Sequence, residues 1–384
     1  MIMTTSIAYI GCGYVADLYN ASLGNGAGEI TVRGVYDKNT ERCEAFAKHY
    51  GLNTYPDLQS VLDDPEVDIV VNLTNPKHHY AISMEALKAG KHVYSEKPLA
   101  LKLEQAQELV RFSEVQGLHI VCAPSSVLGE AAQTLMRAVR NKTMGEPRLV
   151  YAEVDDGLIH RIGMEGWKSP TDVPWPCTDE LETGCTLEHS GYVLSWLVAM
   201  FGPARRVVSY AKLCITDRGE HTPQNYTTPD FSCACVEFDS GIVARISNSI
   251  VAPHDHRFRV FCDDGHIELE EAWDFESPVY AVPVPDTRLK RQLEKRLGWT
   301  GRKLIKPART RNISSAKQGY HLDFMIGVQD MAAAIKSGTS PRLGGEFSLH
   351  ITEVSLAIQH PDLYGTDYRV QSSAPAVAPM DWAS

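Results

Sequence analysis

The chain has 384 residues, 37 Lys and Arg against 48 Asp and Glu, and a net charge of −11; it is 43% hydrophobic and 22% charged. That length allows two cores, the composition is that of a globular protein, and the negative balance argues against nucleic acid as a general partner. No stretch approaches the roughly 18 apolar residues of a membrane span, and nine scattered cysteines without a C-x-x-C pair point to free thiols in a reducing cytoplasm, with no leader before the first strand.

From Ser6 to about residue 124, strand and helix signals alternate. "SIAYIGCG" is an apolar strand ending in glycines, and a helix opens at Tyr14. "EITVRGVYD" reads as a strand, then "NTERCEAFAKHYG" as a helix with Asn39 or Thr40 as cap and Gly51 past its end. "VDIVVNLT" is a β-branched strand, "HHYAISMEALKAG" a helix, "KHVYSEKP" a strand, "KLEQAQELVRFSEVQG" a helix and "LHIVCAP" a strand. Such alternation predicts a parallel sheet covered on both faces.

Beyond residue 125 the pattern changes. "SVLGEAAQTLMRAVRNK" is helical, "EPRLVYAEVDDG" a strand, and "GCTLEHSGYVLSWLVAMFG" a long apolar helix ended by Gly202-Pro203. Strand-like runs follow, with hairpin signals in "FDSGIV" and "CDDGHIEL", then two late helices. The reading is an α/β Rossmann domain over 1–124 and an α+β domain with an open, mainly antiparallel sheet over 125–371, with 372–384 a loose tail. Cys233 and Cys235 share one strand face and suggest packing. The "HHY" and "PHDHR" clusters lack H-E-x-x-H spacing, so no metal site is expected.

Gly11-x-Gly13-x-x-Ala16 follows the first strand and opens its helix, and Asp37 ends the next strand. That context is what a dinucleotide fingerprint requires. Gly11 permits the tight turn, Gly13 lets the pyrophosphate approach, and Ala16 lets helix and strand pack closely. Tyr14 and Val15 lie within this turn, and Thr74 and Asn75 at the next strand end join the cofactor set. Asp37 would accept hydrogen bonds from ribose hydroxyls and repel a 2′-phosphate, which favours NAD over NADP; Lys38 argues the other way.

The block "NPKHHYAISMEALKAGKHVYSEKPLA" resembles the signature of the glucose–fructose oxidoreductase/inositol dehydrogenase/MocA (Gfo/Idh/MocA) oxidoreductases. The resemblance implies NAD-dependent hydride transfer at a carbon of a sugar, glycoside or cyclitol. It places Lys97 on the reacting hydroxyl and Glu96 and His78 near the cofactor, and it implies a homodimer or homotetramer. A developing oxygen charge needs such a cation. Relatives commonly carry G-G-x-x-x-D-x-G-x-H on the facing helix. Aligned on Gly184 and Gly191, this chain has Cys185, His189 and Val193 in the second Gly, Asp and His positions.

Helical spacing puts His189 one turn from residue 193, with Tyr192 at i+3. His189 is therefore expected to handle the hydroxyl proton with Lys97, with Tyr192 next; Glu188 and Cys185 are weaker candidates. Arg161, Trp167, Trp175 and His321, with His160 and Lys168 beside them, suit a polyhydroxylated, even anionic, ligand. The alternatives are a redox-neutral NAD-dependent glycosidase acting on an anionic glycoside and a non-catalytic NAD or sugar sensor. Residues 288–311 hold ten Lys and Arg against one acid, Glu294, and Leu289, Leu293 and Leu297 recur every fourth residue. A solvated amphipathic helix is the plain reading, and contact with an anionic membrane a weaker one.

Overall fold

A computed structural model describes residues 4–25, 30–298, 300–313 and 321–383. Its first unit contains β1 (Thr5–Ile10), α1 (Tyr14–Ser22), β2 (Ile30–Tyr36), α2 (Thr40–Tyr50), α3 (Leu58–Asp63), β3 (Ile69–Asn72), α4 (Pro76–Lys88), β4 (His92–Ser95), α5 (Leu103–Val115) and β5 (Ile120–Cys122). The strands pair in parallel in the order β2-β1-β3-β4-β5. All four residues of β3 are buried, as a strand covered on both faces requires. Local chemistry sets the helix ends: Asn39 accepts from the Arg42 amide, Asp57 from the Ser60 amide, and Gly51 takes the left-handed turn after α2. Strand order reverses between β1 and β3, and the carboxyl ends of such strands form a ligand crevice.

The second unit contains α6 (Glu130–Arg140), β6 (Pro147–Asp155), α7 (Cys177–Thr183), α8 (Cys185–Phe201), β7 (Ala204–Lys212), β8 (Phe231–Phe238), β9 (Val243–Ser249), β10 (Phe258–Cys262), β11 (Gly265–Leu269), β12 (Tyr280–Pro283), α9 (Arg288–Leu297), β13 (Lys303–Leu304), α10 (Ile326–Ser337), α11 (Gly345–Gln359), α12 (Pro361–Tyr364) and β14 (Asp367–Arg369). Among the described residues its sheet has nine strands, in the order β13-β12-β11-β10-β6-β9-β8-β7-β14. Pairing is antiparallel except between β6 and β9. Burial alternates along β8 and β9, so one face packs on helices and the other stays open.

The two units share one apolar cluster that runs from Ile7 and Tyr9 through Leu135 and Trp196 to Ile267. The late helices return to the first sheet: a Cβ on Gly345 would lie 3.1 Å from Val110 and 3.2 Å from Ile120. Helix α11 therefore wedges between both units.

The tail is not loose. Ala374, Val377 and Ala383 are buried, the Met380 amide donates to Gln133 Oε1 at 3.0 Å, and the Ser372 amide donates to Glu353 Oε2 at 2.8 Å. Alanines, a valine and backbone amides were enough to dock it, and a composition-based reading undervalued them.

The basic segment divides. Helix α9 forms, but Leu289 and Leu297 are 67% and 73% exposed, so those leucines do not seat it on its own domain. Further on, Arg309 and Arg311 both pair with Glu130, and Arg311 also pairs with Asp323. Among the described residues no helix is long and apolar enough to cross a membrane.

Candidate active site

A cavity of about 920 Å³ opens beyond β1, β3 and β4, walled on its other side by α7, α8 and loops of the second sheet. At the nucleotide end Gly11 has φ +98°, and an added Cβ would stand 2.7 Å from Leu73 O, so only glycine lets the turn approach β3. At Gly13 an added Cβ would meet nothing within 4 Å, and no side chain caps α1. Gly13, Tyr14 and Val15 line the cavity, so the N-terminus of α1 is turned toward that space, as an anion cradle requires. Ala16 is fully buried. These residues fit a dinucleotide pyrophosphate.

Asp37 differs from expectation. Its Oδ2 accepts from the Cys12 amide at 2.8 Å and from Arg42 Nε at 2.9 Å. Its Oδ1 accepts from the Asn39 amide at 2.8 Å and from Arg42 Nη2 at 2.7 Å. The carboxylate has about four acceptor positions, and all are engaged, so it is not a free ribose acceptor.

His78 is also displaced. It faces Lys38 Nζ at 3.4 Å and does not line the cavity; His79 does. The His79 ring lies 2.7 Å from both Pro98 O and Thr74 O, joining the two loops that flank the crevice, and burial pushes its pKa down. Thr74 and Asn75 line the wall as expected, while Tyr80 points away and donates to Glu108.

Glu96 and Lys97 follow directly from β4, and the Lys97–Pro98 bond is cis. Glu96 Oε1 accepts from Tyr19 at 2.7 Å and Oε2 from the Lys97 amide at 3.0 Å, which fixes the turn. The Lys97 ammonium is ion-paired with Glu188 inside the cavity. Burial disfavours that charge, but Glu188 and Glu180 outweigh it, and the pKa of Lys97 stands well above its ordinary value.

Helix α8 supplies the opposite wall. Gly184 before it has φ +93°, and a Cβ there would collide with Gln359 and Thr228 at 2.6 Å. The cavity face is Cys185, Glu188, His189 and Tyr192, a helical i, i+3, i+4, i+7 set. Val193 is fully buried in the core, so that position is turned away from the cavity. Burial pushes the Cys185 thiol up, which leaves it an inert packing group.

Lys97 and His189 line the same cavity, but their immediate partners differ. His189 Nδ1 lies 2.8 Å from Asp156 Oδ2, and its Nε2 lies 4.0 Å from Glu180 Oε2. Burial, then the charge of Glu188, pushes the Glu180 carboxyl up to about 7. Tyr192 packs on Trp273 with ring centroids 4.5 Å apart, and burial pushes its phenol up.

An alternating chain of carboxylates and imidazoles continues from there. Asp156 Oδ1 lies 3.1 Å from His256 Nε2, His256 Nδ1 lies 2.8 Å from Glu271 Oε1, and Glu271 Oε2 lies 2.9 Å from His254 Nε2. Burial works to discharge His256, but hydrogen bonds to Asp156 and Glu271 raise it to about 9.

Trp167 and Trp175 line the cavity with ring centroids 5.2 Å apart, and Lys168 and His321 also reach it. Arg161 is exposed and His160 turns to Arg218, and neither lines the wall. Two straps cross the crevice: Thr171 donates to Asp17 at 2.7 Å, and Asp179 takes Asn75 and Lys77, the latter at 2.8 Å. The wall carries Glu96, Asp156, Asp179, Glu180, Glu188, Glu271 and Asp274 against Lys97 and Lys168. That excess of acids speaks against an anionic sugar.

Sequence reasoning did not single out Asp156, Glu180, Glu271 or Trp273, and it set aside His254 and His256. The only local hint was a Glu/Asp-rich edge at several strand and helix ends, a common surface pattern.

Residues 5–123 match the family model "Oxidoreductase family, NAD-binding Rossmann fold", and residues 132–268 match "GFO/IDH/MocA C-terminal domain". A D-glucoside 3-dehydrogenase of Escherichia coli is 28% identical over 260 residues, 64% of this chain and 71% of that protein. An inositol 2-dehydrogenase/D-chiro-inositol 3-dehydrogenase of Lactiplantibacillus plantarum is 32% identical over 42% of this chain and 52% of its own length. Among solved structures, an aldose-aldose oxidoreductase of Caulobacter crescentus complexed with glycerol superposes with TM-score 0.72 at 19% identity, over 95% of this chain and 99% of that one. The WlbA dehydrogenase of Bordetella pertussis, in complex with NADH and UDP-GlcNAcA, gives 0.70 at 15% identity, over 96% and 98%.

Proposed function

The chain belongs to the GFO/IDH/MocA oxidoreductases, and from that premise we propose that it moves a hydride between NAD and a secondary carbinol of a neutral sugar, glycoside or cyclitol. The observation that carries the reading is the position of Lys97: a paired ammonium on the wall of a cavity whose other end is the open Gly13 turn. Bound NAD supplies the hydride acceptor. The Gly13–Val15 amides would hold its pyrophosphate, and Glu96, Thr74 and Asn75 would border its nicotinamide half.

Lys97 remains charged and so acts as the donor that stabilises the reacting oxygen rather than as the base. With NAD bound to take up the hydride, the His189–Glu180 pair would receive the O–H proton of the carbinol as it becomes a carbonyl. The Asp156 carboxylate, 2.8 Å from Nδ1, favours the charged form of His189. Trp167 and Trp175 offer apolar faces to the sugar ring.

The names of relatives, a glucoside 3-dehydrogenase and an inositol dehydrogenase, support the substrate class. One observation favours a second reading. A buried carboxyl near 7, Glu180, suits a general acid for a glycosidic leaving group, as a redox-neutral glycosidase needs. A self-associating assembly through the open sheet face is supported by exposed Val208 and Tyr210.

The test is NADH and product analysis with neutral glycosides and cyclitols, run in parallel with NADP. Keto-sugar formed in step with NADH upholds the dehydrogenase. Hydrolysed glycoside without net NADH replaces it with the second reading.

A further inference from the structure

We propose that Asp156, His254 and His256 form a site for one divalent first-row transition-metal ion at the sugar end of the cavity. Asp156 follows the last residue of β6, and the two histidines lie in the approach to β10, the strand paired with β6. Each offers a ligand atom, and these atoms all lie within 4.8 Å of one another. Ligands around a single ion at ~2.0–2.2 Å stand roughly 3–4 Å apart, so small side-chain rotations close the set.

Three further observations favour an ion. First, Glu271 engages Nδ1 of His256 and Nε2 of His254, which leaves Nδ1 of His254 for a metal, while Nε2 of His256 already faces Asp156 Oδ1 at 3.1 Å, the spacing of two ligands on one ion. A carboxylate behind a ligating imidazole is the usual outer support of such sites. Second, Asp156 Oδ2 and His189 Nδ1 are 2.8 Å apart, yet neither buried atom makes an aligned hydrogen bond. Oδ2 of Asp156 therefore keeps a lone pair on which no protein donor is aligned, although His256 already engages Oδ1. Third, the acid-rich wall gains from a divalent charge.

Two imidazoles with one carboxylate and no thiolate select zinc, manganese, iron, cobalt or nickel over magnesium or calcium. Three protein ligands leave positions open for water or a pair of sugar hydroxyls. The role toward a sugar rests on the oxidoreductase reading; the binding of the ion does not.

The test uses tag-free full-length protein, stripped with chelator and titrated calorimetrically with zinc, manganese and cobalt(II), the last also followed by its visible spectrum. One ion per chain is expected. His256→Gln and His254→Gln should each weaken binding by more than about tenfold, and Glu271→Gln by roughly 10–100-fold. Asp156→Asn should abolish it. Circular dichroism checks folding, and His254→Gln, at the exposed edge, carries the test if Asp156→Asn does not fold. His321→Gln should leave metal affinity and stoichiometry unchanged.

Absence of stoichiometric binding to the unaltered protein overturns the proposal, as does unchanged affinity in both histidine variants. Loss on His321→Gln overturns it too, by moving the ion to Asp274, Glu276 and His321. NADH binding measured on the same samples is independent: its failure with metal retained removes the oxidoreductase reading and leaves the metal site standing.

Discussion

The two ends of the cavity are built from different materials. At the nucleotide end the wall is backbone, glycine and small side chains, and the decisive quantity is space: 2.7 Å to the next atom at Gly11, nothing within 4 Å at Gly13. At the far end the wall is side-chain charge, and the decisive quantity is pairing: Lys97 with Glu188, His189 with Asp156 and Glu180, His256 with Asp156 and Glu271. Space is altered by adding atoms and charge by removing them, so the two ends should fail differently under substitution.

The largest effect is expected at Lys97. Lys97→Met removes the ammonium proposed to hold the reacting oxygen and should lower kcat/KM by about 10²–10³ in steady-state assays, with NADH binding by fluorescence nearly unchanged. Equal losses in both measurements would erase the distinction between the ends. Next comes pH. With Glu180 pushed up to about 7, the proton-accepting form is lost as pH falls through that value, so sugar oxidation should drop about tenfold per unit below it. Glu180→Gln should abolish that limb of the profile, and a limb that survives would remove Glu180 from the proton path.

At the nucleotide end, Gly13→Val should leave the melting temperature intact and weaken NADH binding roughly tenfold, about 1.4 kcal/mol. Gly11→Ala should do the opposite first. Its φ of +98° and its contact with Leu73 O should destabilise the fold by about 1–3 kcal/mol, read from denaturant unfolding.

The smallest effect lies away from both ends. His350 is fully buried on α11, accepts from the Ala204 amide at 2.8 Å, and burial lowers its pKa to about 4. An unfolded histidine titrates near 6.5, so the unfolded chain takes up the proton first. Stability contributed by the neutral ring is present above about 6.5 and declines as pH falls toward 4. The melting temperature should decline over that window, with a shallower slope in His350→Gln.

Which parts were legible in the sequence follows from the same contrast. Gly11, Gly13, Ala16 and the Glu96-Lys97-Pro98 turn are contiguous motifs whose local geometry carries their meaning, and each lines the cavity or packs at its edge. The alternation before residue 124 fixed the parallel sheet for the same reason. Asp37 was expected to face a ribose, and spacing did not reveal that Arg42, from the following helix, closes a bidentate pair on it. His78 was misjudged by one residue, where α4 turns His79 inward instead. At the far end helical spacing placed His189 and Tyr192 on the cleft, but the partners they meet could not be read that way. Asp156, Glu180, His256 and Glu271 meet only because β6, β10 and β11 are neighbours in one sheet and α7 and α8 pack over its edge.

The most direct test of the account is single-turnover mixing of the NAD-loaded protein with a neutral glycoside or cyclitol found by screening. NADH fluorescence and keto product are followed together in the unaltered protein and in Lys97→Met. The account predicts NADH and ketone appearing at one common rate, slowed by about two orders of magnitude or more in the variant. Equal rates in the two proteins, or substrate consumed with no ketone and no NADH at any time, would contradict it.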